Sequence, residues 1–443
     1  MQRPIVGSSC LYRWHPGGLF LLFAVLASGC GGGSSDGAPA ACSPVGQKQT
    51  VLEVMQDIYL YNEQMPDVDP NDFPTPEALL EALIVNPPDR FSSIGSAAAE
   101  EMFFGAGQFI GFGVTTALLS NDDLRIAEVF EGSPADGAGL ERGYRILTID
   151  GRTIAEIVAA EGVSAAFGAD EVGLQVDLDV ADRQGAESSV TVTKAVVTIP
   201  PVSAVTVFDV AGEPVGYLLF RTFVEPSFAA LDAAFAQFAD AGVRDLIVDV
   251  RYNGGGLIAV ADFLGNLLGG LDANGQVFSM TVFNANNAFR NTTTLFMNET
   301  HSLSLDRLIF ITTEGTASAS EIVINSMMPY VETFLVGADT FGKPVGSLGF
   351  SFCEKIIRPI SFETVDSTGE GGYFDGLPAT CAAEDDLAFV LGDPAEGSLA
   401  EALFVAENGA CSAVSEVARE KLAGRREPPD KTRDIWQLLI NAH

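Results

Sequence analysis

Residues 216–250 alternate between apolar strand and helix patterns, and this alternation constrains the fold more than any other part of the chain. Residues 216–220 (GYLLF) and 245–250 (DLIVDV) each predict a buried strand. Between them, Ser227 is expected to cap a helix that ends at Gly242. One face of this helix is apolar and consists of Phe228, Leu231, Phe235 and Phe238. Two strands joined by a helix at this spacing pair in parallel through a right-handed crossover, so an α/β fold with a parallel sheet is predicted.

The size and charge of the chain limit its domain count and its partners. It has 443 residues, 47% of them hydrophobic, which predicts two or three domains with separate cores. Residues 307–312 and 333–337 add strand patterns to the α/β core, which is predicted over 198–411 and followed by a tail over 412–443. The formal net charge of −35 repels polyanions, so nucleic acid is not an expected partner.

Residues 1–30 have the pattern of an export signal. Arg3 and Arg13 precede an apolar run over 19–27 that is too short to span a bilayer stably. The run leads into LASGC at 26–30, which resembles the bacterial lipobox and implies that Cys30 is lipidated. Residues 31–45 then predict a flexible tether. The alternative is an ordinary secretory signal with an incidental cysteine.

Export predicts both a location and a set of disulfides. A lipidated Cys30 implies a protein held in the cell envelope by its lipid alone and facing the periplasm, and Gly31 beside it favours the outer membrane of a Gram-negative cell. Two disulfides are expected in that oxidising compartment, with three possible pairings. The four remaining cysteines of the mature chain are Cys42, Cys353, Cys381 and Cys411.

Residues 46–105 predict a small helical region. Thr50 and Glu53 match a capping box at the start of one helix. Thr75 is expected to cap a second helix with Pro76 at its first position, and the prolines at 87 and 88 are expected to stop it.

Residues 106–197 change to short strand patterns and glycine turns. The string EGSPADGAGL at 131–140 and the following strand and turn resemble a bacterial PDZ domain, although Tyr144 stands where that family usually has aspartate. PDZ domains bind extended carboxyl-terminal tails, and their loop N–H groups hold the terminal carboxylate. The resemblance assigns that loop to Gly111, Phe112, Gly113 and Val114. Protein or peptide substrates with free carboxyl termini are therefore the expected partners.

Two turns stand out because each follows a buried strand and opens a helix. They are RYNGGG at 251–256 and EGTASASE at 314–321. Sites in open α/β sheets lie beyond the carboxyl ends of strands, so both turns can face one crevice. The N–H groups at a helix start can stabilise a developing oxyanion, and adjacent glycines allow a substrate backbone to approach closely.

Histidine is too scarce for the common histidine-dependent sites. Only His15, His301 and His443 are present, so a histidine-rich zinc site has too few ligands and a serine triad would have to use His301. No metal or cofactor is expected. A serine nucleophile would instead need a lysine as its base, with a pKa lowered towards neutrality by burial.

Three ordered motifs resemble the carboxyl-terminal processing, or tail-specific, serine peptidases. They are DLIVDVRYNGGG at 245–256, TASASEI at 316–322 and TFGK at 340–343. The resemblance covers residues 106–350 and implies a ClpP/crotonase-like core with a serine–lysine dyad. Ser318 and Lys343 match the two catalytic positions of that family.

The resemblance also implies supporting roles. The oxyanion donors should be the N–H of Ala319 and one from the glycine turn, with Gly255 favoured. Glu321 matches an acidic position of the family, although a helix cap alone would also explain it. Ser347 stands where many members have a glutamine that orients the lysine, so it is a substitute to be tested.

Two other function classes compete with the peptidase. A PDZ-containing lipoprotein could bind peptides with an inactive core, but such a scaffold needs neither Ser318 nor Lys343. A purely structural lipoprotein gives no reason for the paired turns. The sequence therefore favours a serine endopeptidase that cleaves exported or unfolded proteins near their carboxyl termini, and it leaves the oligomeric state open.

Overall fold

The computed structural model describes residues 41–415, 417 and 418, which fall within a single structural unit. The predicted signal segment, Cys30, the tether up to residue 40 and the tail beyond residue 418 lie outside the described residues. Among the helices in this described part, none is both long enough and apolar enough to cross a membrane.

The N-terminal region, residues 44–106, is mainly helical. Its elements are α1 (Pro44–Ile58), α2 (Pro76–Leu83), β1 (Ser93–Ser96) and α3 (Ala97–Ala106), with 3₁₀ turns at Asn62–Gln64 and Pro70–Asp72. Thr75 caps α2 as predicted, since its hydroxyl accepts the Ala78 N–H at 3.2 Å.

The predicted start of the first helix was wrong. Ser43 caps α1 and Pro44 occupies its first turn, so the helix also takes in the end of the predicted tether. Thr50 lies inside the helix, where its hydroxyl donates to the Gly46 carbonyl at 3.1 Å. A proline at the first helical position costs no hydrogen bond, so the helix can begin at Pro44.

The middle region, residues 108–198, contains an antiparallel sheet in the order β3-β4-β5-β7-β8, with β6 beside β5 and a separate β2–β9 pair. Its strands are β2 (Gln108–Gly111), β3 (Val114–Ser120), β4 (Asp123–Val129), β5 (Arg145–Ile149), β6 (Arg152–Thr153), β7 (Gln175–Ala181), β8 (Glu187–Thr193) and β9 (Ala195–Thr198). Its helices are α4 (Pro134–Gly137), α5 (Ile154–Ala160) and α6 (Val163–Ala166). This region has its own apolar core, which includes Phe112, Ile126 and Ile146.

The core is built on a six-stranded sheet in the order β10-β11-β12-β15-β16-β21. These strands are β10 (Val202–Val210), β11 (Glu213–Phe220), β12 (Asp245–Asp249), β15 (Arg307–Thr312), β16 (Glu332–Gly337) and β21 (Cys381–Ala382). Apart from the antiparallel β10–β11 pair, neighbouring strands run parallel. The parallel pairing predicted for the strands around residues 218 and 247 is therefore present.

Helices cover both faces of this sheet, which is why its central strands are apolar throughout. They are α7 (Ser227–Ala241), α8 (Ile258–Ala273), α9 (Ala319–Met327) and α10 (Gly397–Asn408). Along β12, Leu246 and Val248 pack into the cluster that contains α7, α8 and α9, whereas Ile247 packs towards α10 on the opposite face. Gly242 ends α7 in the left-handed conformation, as predicted.

Ser227 does not cap α7, contrary to the prediction. It is the first helical residue, and its buried hydroxyl donates to the Thr222 carbonyl at 2.9 Å and accepts the Val224 N–H at 3.1 Å. The hydroxyl thus closes the turn before the helix rather than the first turn of the helix itself.

Two smaller sheets complete the core. A four-stranded sheet has the order β14-β13-β20-β17, and a three-stranded sheet joins β1 of the N-terminal region to β19 and β18. Their remaining strands are β13 (Val277–Phe283), β14 (Thr292–Leu295), β17 (Val345–Ser347), β18 (Phe350–Phe352), β19 (Lys355–Arg358) and β20 (Ile360–Val365). The N-terminal region is therefore built into the same sheet system as the segment that follows Lys343.

The four predicted disulfide cysteines form two bonds. Cys42 pairs with Cys353, in the turn between β18 and β19, and Cys381 pairs with Cys411. The first bond joins residues 311 positions apart and ties the start of α1 to the three-stranded sheet.

Candidate active site

The two turns singled out in the sequence meet at the carboxyl ends of β12 and β15. The buried carbonyl of Asn253 accepts hydrogen bonds from the Ala317 N–H and the Ser320 hydroxyl, both at 3.0 Å. The Val250 carbonyl accepts the Thr316 hydroxyl at 2.8 Å. The glycine turn and the serine turn therefore form one hydrogen-bonded unit.

Ser318 occupies a strained position at the start of α9. Its backbone has φ 55° and ψ −115°, a conformation that non-glycine residues rarely adopt. Its neighbours Ala317 and Ala319 are buried, whereas Ser318 is only partly so. Within the described part of the chain, the Ala319 N–H donates to no acceptor. The turn thus presents a hydroxyl beside a free N–H, as a nucleophile and an oxyanion donor require.

Gly255 packs directly against this serine turn. It has φ 102°, and a Cβ atom there would lie 2.8 Å from the Ala319 nitrogen and 2.9 Å from Ser318 Cβ, so no other residue fits without a shift. Its own N–H donates to the Asn253 side chain at 3.0 Å. The N–H groups of Gly254 and Gly256 have no protein acceptor among the described residues. The assignment of the second oxyanion donor to Gly255 therefore stays a prediction.

Below the glycine turn lies a buried ionic cluster that also reaches the middle region. The guanidinium of Arg251 is fully buried and contacts Asp249 at 2.7 Å, Asp385 at 2.8 Å and Glu396 at 2.9 Å. Arg142, in the loop before β5, contacts the same Asp385 at 2.5 Å. The cluster fixes the backbone immediately before Asn253.

Glu321 does more than cap α9. Its fully buried carboxylate accepts the Ser318 N–H at 2.8 Å and the Lys343 N–H at 2.9 Å through one oxygen, Oε2. The other oxygen accepts the Thr340 hydroxyl at 2.5 Å and the Gly342 N–H at 2.7 Å. Since Oε2 contacts both backbone nitrogens, the backbones of Ser318 and Lys343 lie next to each other. Burial raises the pKa of Glu321 although these four hydrogen bonds favour its charged form.

Lys343 is buried and 7% exposed. Burial, with a smaller contribution from the positive charge of Arg358, lowers the pKa of Lys343 to about 7, although Asp89 and Glu321 act in the opposite direction. An amine in this state is neutral in a large fraction of molecules at physiological pH and can accept a proton.

Two other residues considered in the sequence do not join this group. Ser347 lies at the end of β17, and its buried hydroxyl has no hydrogen-bond partner, so nothing in the structure connects it to the lysine. The Nδ1 atom of His301 contacts Asp232 on α7 at 2.8 Å. His301 therefore has a carboxylate partner of its own that belongs to neither catalytic turn.

The loop assigned to carboxylate binding lies between β2 and β3. Gly111 ends β2, Val114 begins β3, and Gly113 has φ 84° with Ser133 so close that a Cβ atom would lie 2.2 Å from the serine Cβ. The carbonyls of Phe112 and Gly113 accept the N–H groups of Ala135 and Phe130, both at 2.9 Å. These bonds hold the loop against the short helix α4.

A cavity of about 710 Å³ lies between the middle region and the core. Its lining includes Arg125, Gly143, Thr313, Asp385 and Leu387, but neither Ser318 nor Lys343. We therefore place the chemistry on the two turns and not in this cavity.

Known proteins similar to this chain include several peptidases. Two family models match: Peptidase family S41 over residues 214–358 and the Peptidase S41 N-terminal domain over residues 46–93. The chloroplastic C-terminal processing peptidase of Tetradesmus obliquus is 25% identical over 244 residues, which cover 53% of this chain and 51% of that one. The carboxyl-terminal-processing protease of a Synechocystis strain is 27% identical over 223 residues, half of each chain. The chain thus spans about half the length of the curated relatives that it matches.

Solved structures have the same fold. A protein from Bacteroides fragilis assigned to the S41 proteases has a TM-score of 0.65 and 25% identity, over 81% of this chain and 96% of that one. The photosystem II D1 C-terminal processing protease has a TM-score of 0.52 and 20% identity, over 77% of this chain and 93% of that one, which supports the fold alone. The residues matched by the first of the two family models contain both the Ser318 and the Lys343 turns, so this chain is similar to peptidase family S41 in the part that carries the candidate site.

Proposed function

We propose that the protein is a serine endopeptidase of the carboxyl-terminal processing type, with Ser318 as nucleophile and Lys343 as general base. The observation that carries the proposal is the position of Glu321, whose single Oε2 atom accepts the backbone N–H of both residues. A scaffold without catalysis has no need for a buried lysine fixed beside a strained serine.

The proposed reaction passes through an acyl-enzyme. The neutral Lys343 amine takes the proton of Ser318 as the hydroxyl oxygen attacks the scissile carbonyl. The Ala319 N–H and one N–H of the glycine turn stabilise the oxyanion. The lysine ammonium then gives its proton to the leaving amine as the peptide bond breaks. Lys343 then takes a proton from a water molecule as the water oxygen attacks the acyl carbonyl, and it returns that proton to the Ser318 oxygen as the acyl–oxygen bond breaks.

The middle region is proposed to act as a PDZ domain that selects substrates by their free carboxyl termini. The support is the loop from Gly111 to Val114, which stands at a strand edge and is held against α4. A strand-like tail beside such a loop would place its carboxylate near the loop N–H groups. Exported or unfolded proteins with apolar tails are the proposed substrates.

Amidation of the substrate's carboxyl terminus tests this function. The full-length chain is incubated with an unfolded reporter protein whose apolar tail ends in either a free or an amidated carboxyl group. We expect cleavage of the free form and cleavage slower by about tenfold or more for the amidated form, because a charged hydrogen-bond acceptor is lost. Ser318→Ala is the control for contaminating proteases. Equal rates would contradict tail recognition, and binding without cleavage would instead support the inactive peptide-binding module.

The protein is further proposed to be held in the envelope through Cys30, which lies outside the described residues. The support is the lipobox resemblance at residues 26–30. Metabolic labelling with a fatty acid should mark the wild-type chain and not Cys30→Ser. Equal labelling of the two chains would contradict the anchor, and fractionation of the labelled cells would test the outer-membrane assignment.

A further inference from the structure

The segment at residues 89–92, between α2 and β1, reaches the lysine turn from the N-terminal region. Asp89 is fully buried and accepts the N–H groups of Phe91 at 2.8 Å and Ser92 at 3.0 Å through one oxygen. Its other oxygen accepts the Ser92 hydroxyl at 2.6 Å. These three bonds give the 89–92 segment a fixed shape, so its side chains project in defined directions.

Arg90 binds the backbone of the lysine turn. Its Nη2 atom donates to the carbonyl of Phe341 at 3.0 Å and to the carbonyls of Gly342 and Phe374 at 3.3 Å. Its guanidinium also lies over the ring of Phe341, 4.4 Å from the ring centre. Arg90 therefore contacts both residues that precede Lys343 in the chain.

Arg90 and Glu321 hold the same two peptide groups from opposite ends. In the peptide between Phe341 and Gly342, the carbonyl accepts from Arg90 and the N–H donates to Glu321. In the next peptide, between Gly342 and Lys343, the carbonyl again accepts from Arg90 and the N–H again donates to Glu321. With both ends of both peptides bound, rotation about the backbone before Lys343 is restricted.

Phe91 forms one wall of the lysine pocket. It is 1% exposed, its ring packs edge-on against Phe341, and the Lys343 Nζ atom lies 5.8 Å from its centre. The charged groups that act on the amine are Arg358 on β19, Asp89 in the 89–92 segment and Glu321 on α9. On the Phe91 side, the lysine faces an aromatic ring and no water-exposed surface.

We infer that Arg90 and Phe91 are positioning residues for the general base, so that the N-terminal region forms part of the active site. Arg90 would fix the direction of the Lys343 side chain, and Phe91 would keep water from its amine. Neither residue touches the reacting atoms. This inference rests on the proposed function for its kinetic consequences, but its geometric claim can be tested without a substrate.

The kinetic test replaces Arg90 by methionine, which keeps an unbranched apolar stem but removes the hydrogen-bond donors. We expect kcat on the free-tailed reporter protein to fall by about 10²-fold, because small displacements of a catalytic group have effects of this order. KM should stay within about twofold, since Arg90 does not contact substrate. Arg307→Met is the matched control. Arg307 also donates to a carbonyl, that of Ala406 at 2.8 Å, and it pairs with Asp245. It belongs to β15, however, and contacts neither catalytic turn. A normal kcat in Arg90→Met would overturn the role of Arg90.

The second test follows the titration of Lys343 itself by NMR in a chain labelled with ¹³C-lysine. The Lys343 signal is assigned from its loss in Lys343→Met. In the wild type the amine should titrate near its pKa of about 7. Phe91→Gln brings a polar group to the pocket wall and should raise the titration midpoint of Lys343 by about one pH unit or more. Phe91→Leu, which is milder and folds more readily, should raise it by a smaller amount.

The control and the outcomes separate this inference from the proposed function. Phe235→Leu alters a comparably buried ring that belongs to a different apolar cluster from Phe91, and it should leave the titration midpoint of Lys343 unchanged. Identical midpoints in the wild type and both Phe91 variants would overturn the inference. If the midpoints shift as expected but the wild type cleaves nothing, the positioning stands and the peptidase proposal fails.

Discussion

Lys343→Arg should abolish cleavage, with a fall in kcat of about 10⁴-fold or more. A guanidinium stays protonated at any pH at which the protein is folded, so it cannot take the proton of Ser318. Ser318→Ala should be equally inactive, because residues that act as one catalytic unit do not contribute additively. In the wild type the rate should rise with pH through about 7, since the neutral form of Lys343 is the proposed base.

His301→Ala is the matched variant for this prediction. The histidine pairs with Asp232 on α7, so its removal should leave most of the activity intact. Steady-state rates of the three variants on one unfolded substrate decide between a lysine and a histidine mechanism. Loss of activity in His301→Ala together with activity in Lys343→Arg would refute the serine–lysine dyad.

Arg251→Met should lower the free energy of unfolding by about 3–5 kcal/mol. The substitution leaves the carboxylates of Asp249 and Glu396 buried without their cation, and both side chains are 0% exposed. Ionised carboxylates in such surroundings are costly unless they are paired. Denaturant unfolding followed by circular dichroism measures this loss as a lower denaturant concentration at the midpoint of unfolding.

Arg244→Met provides the comparison on the surface. Arg244 and Asp306 form an ion pair at 2.5 Å, but both side chains are 61% exposed. Exposed pairs contribute about 0–1 kcal/mol, so this variant should unfold close to the wild-type midpoint. Equal midpoints for the Arg251 and Arg244 variants would mean that the buried cluster does not stabilise the fold.

Local signals in the sequence predicted some element boundaries and missed others. Thr75 and Pro76 correctly predicted the start of α2, and Gly242 correctly predicted the end of α7. Each capping residue bonds to a group within one helical turn, so the signal is local in the sequence. The start of α1 was missed because Ser43 and Pro44 compete with the Thr50–Glu53 pattern, and only packing decides between them. One such packing contact is made by buried Lys48, whose amine donates to the Phe73 carbonyl at 2.9 Å. This contact holds the first half of α1 in place.

The supporting contacts of the candidate site had no local signal at all. Glu321 was matched to an acidic position of the family, with a helix cap as the alternative, but its bonds to Gly342 and Lys343 depend on how distant segments fold together. Arg90 lies some 250 residues before the carbonyls that it binds, and an arginine beside an aspartate and a phenylalanine has no distinctive pattern. The same limit applies to the disulfides, whose number follows from the cysteine count but whose pairing needs the fold.

The Cys42–Cys353 disulfide also decides how the folded protein carries a mechanical load. A pull on the chain from the N-terminal side of residue 42 passes through the covalent bond into the turn between β18 and β19. Without that bond, the same force would act on α1 directly and separate it from the apolar cluster that it shares with Phe91 and Phe341. Under tension, the oxidised protein should therefore retain the packing around Phe91 beside Lys343. In the reduced protein, α1 should be the first element to detach.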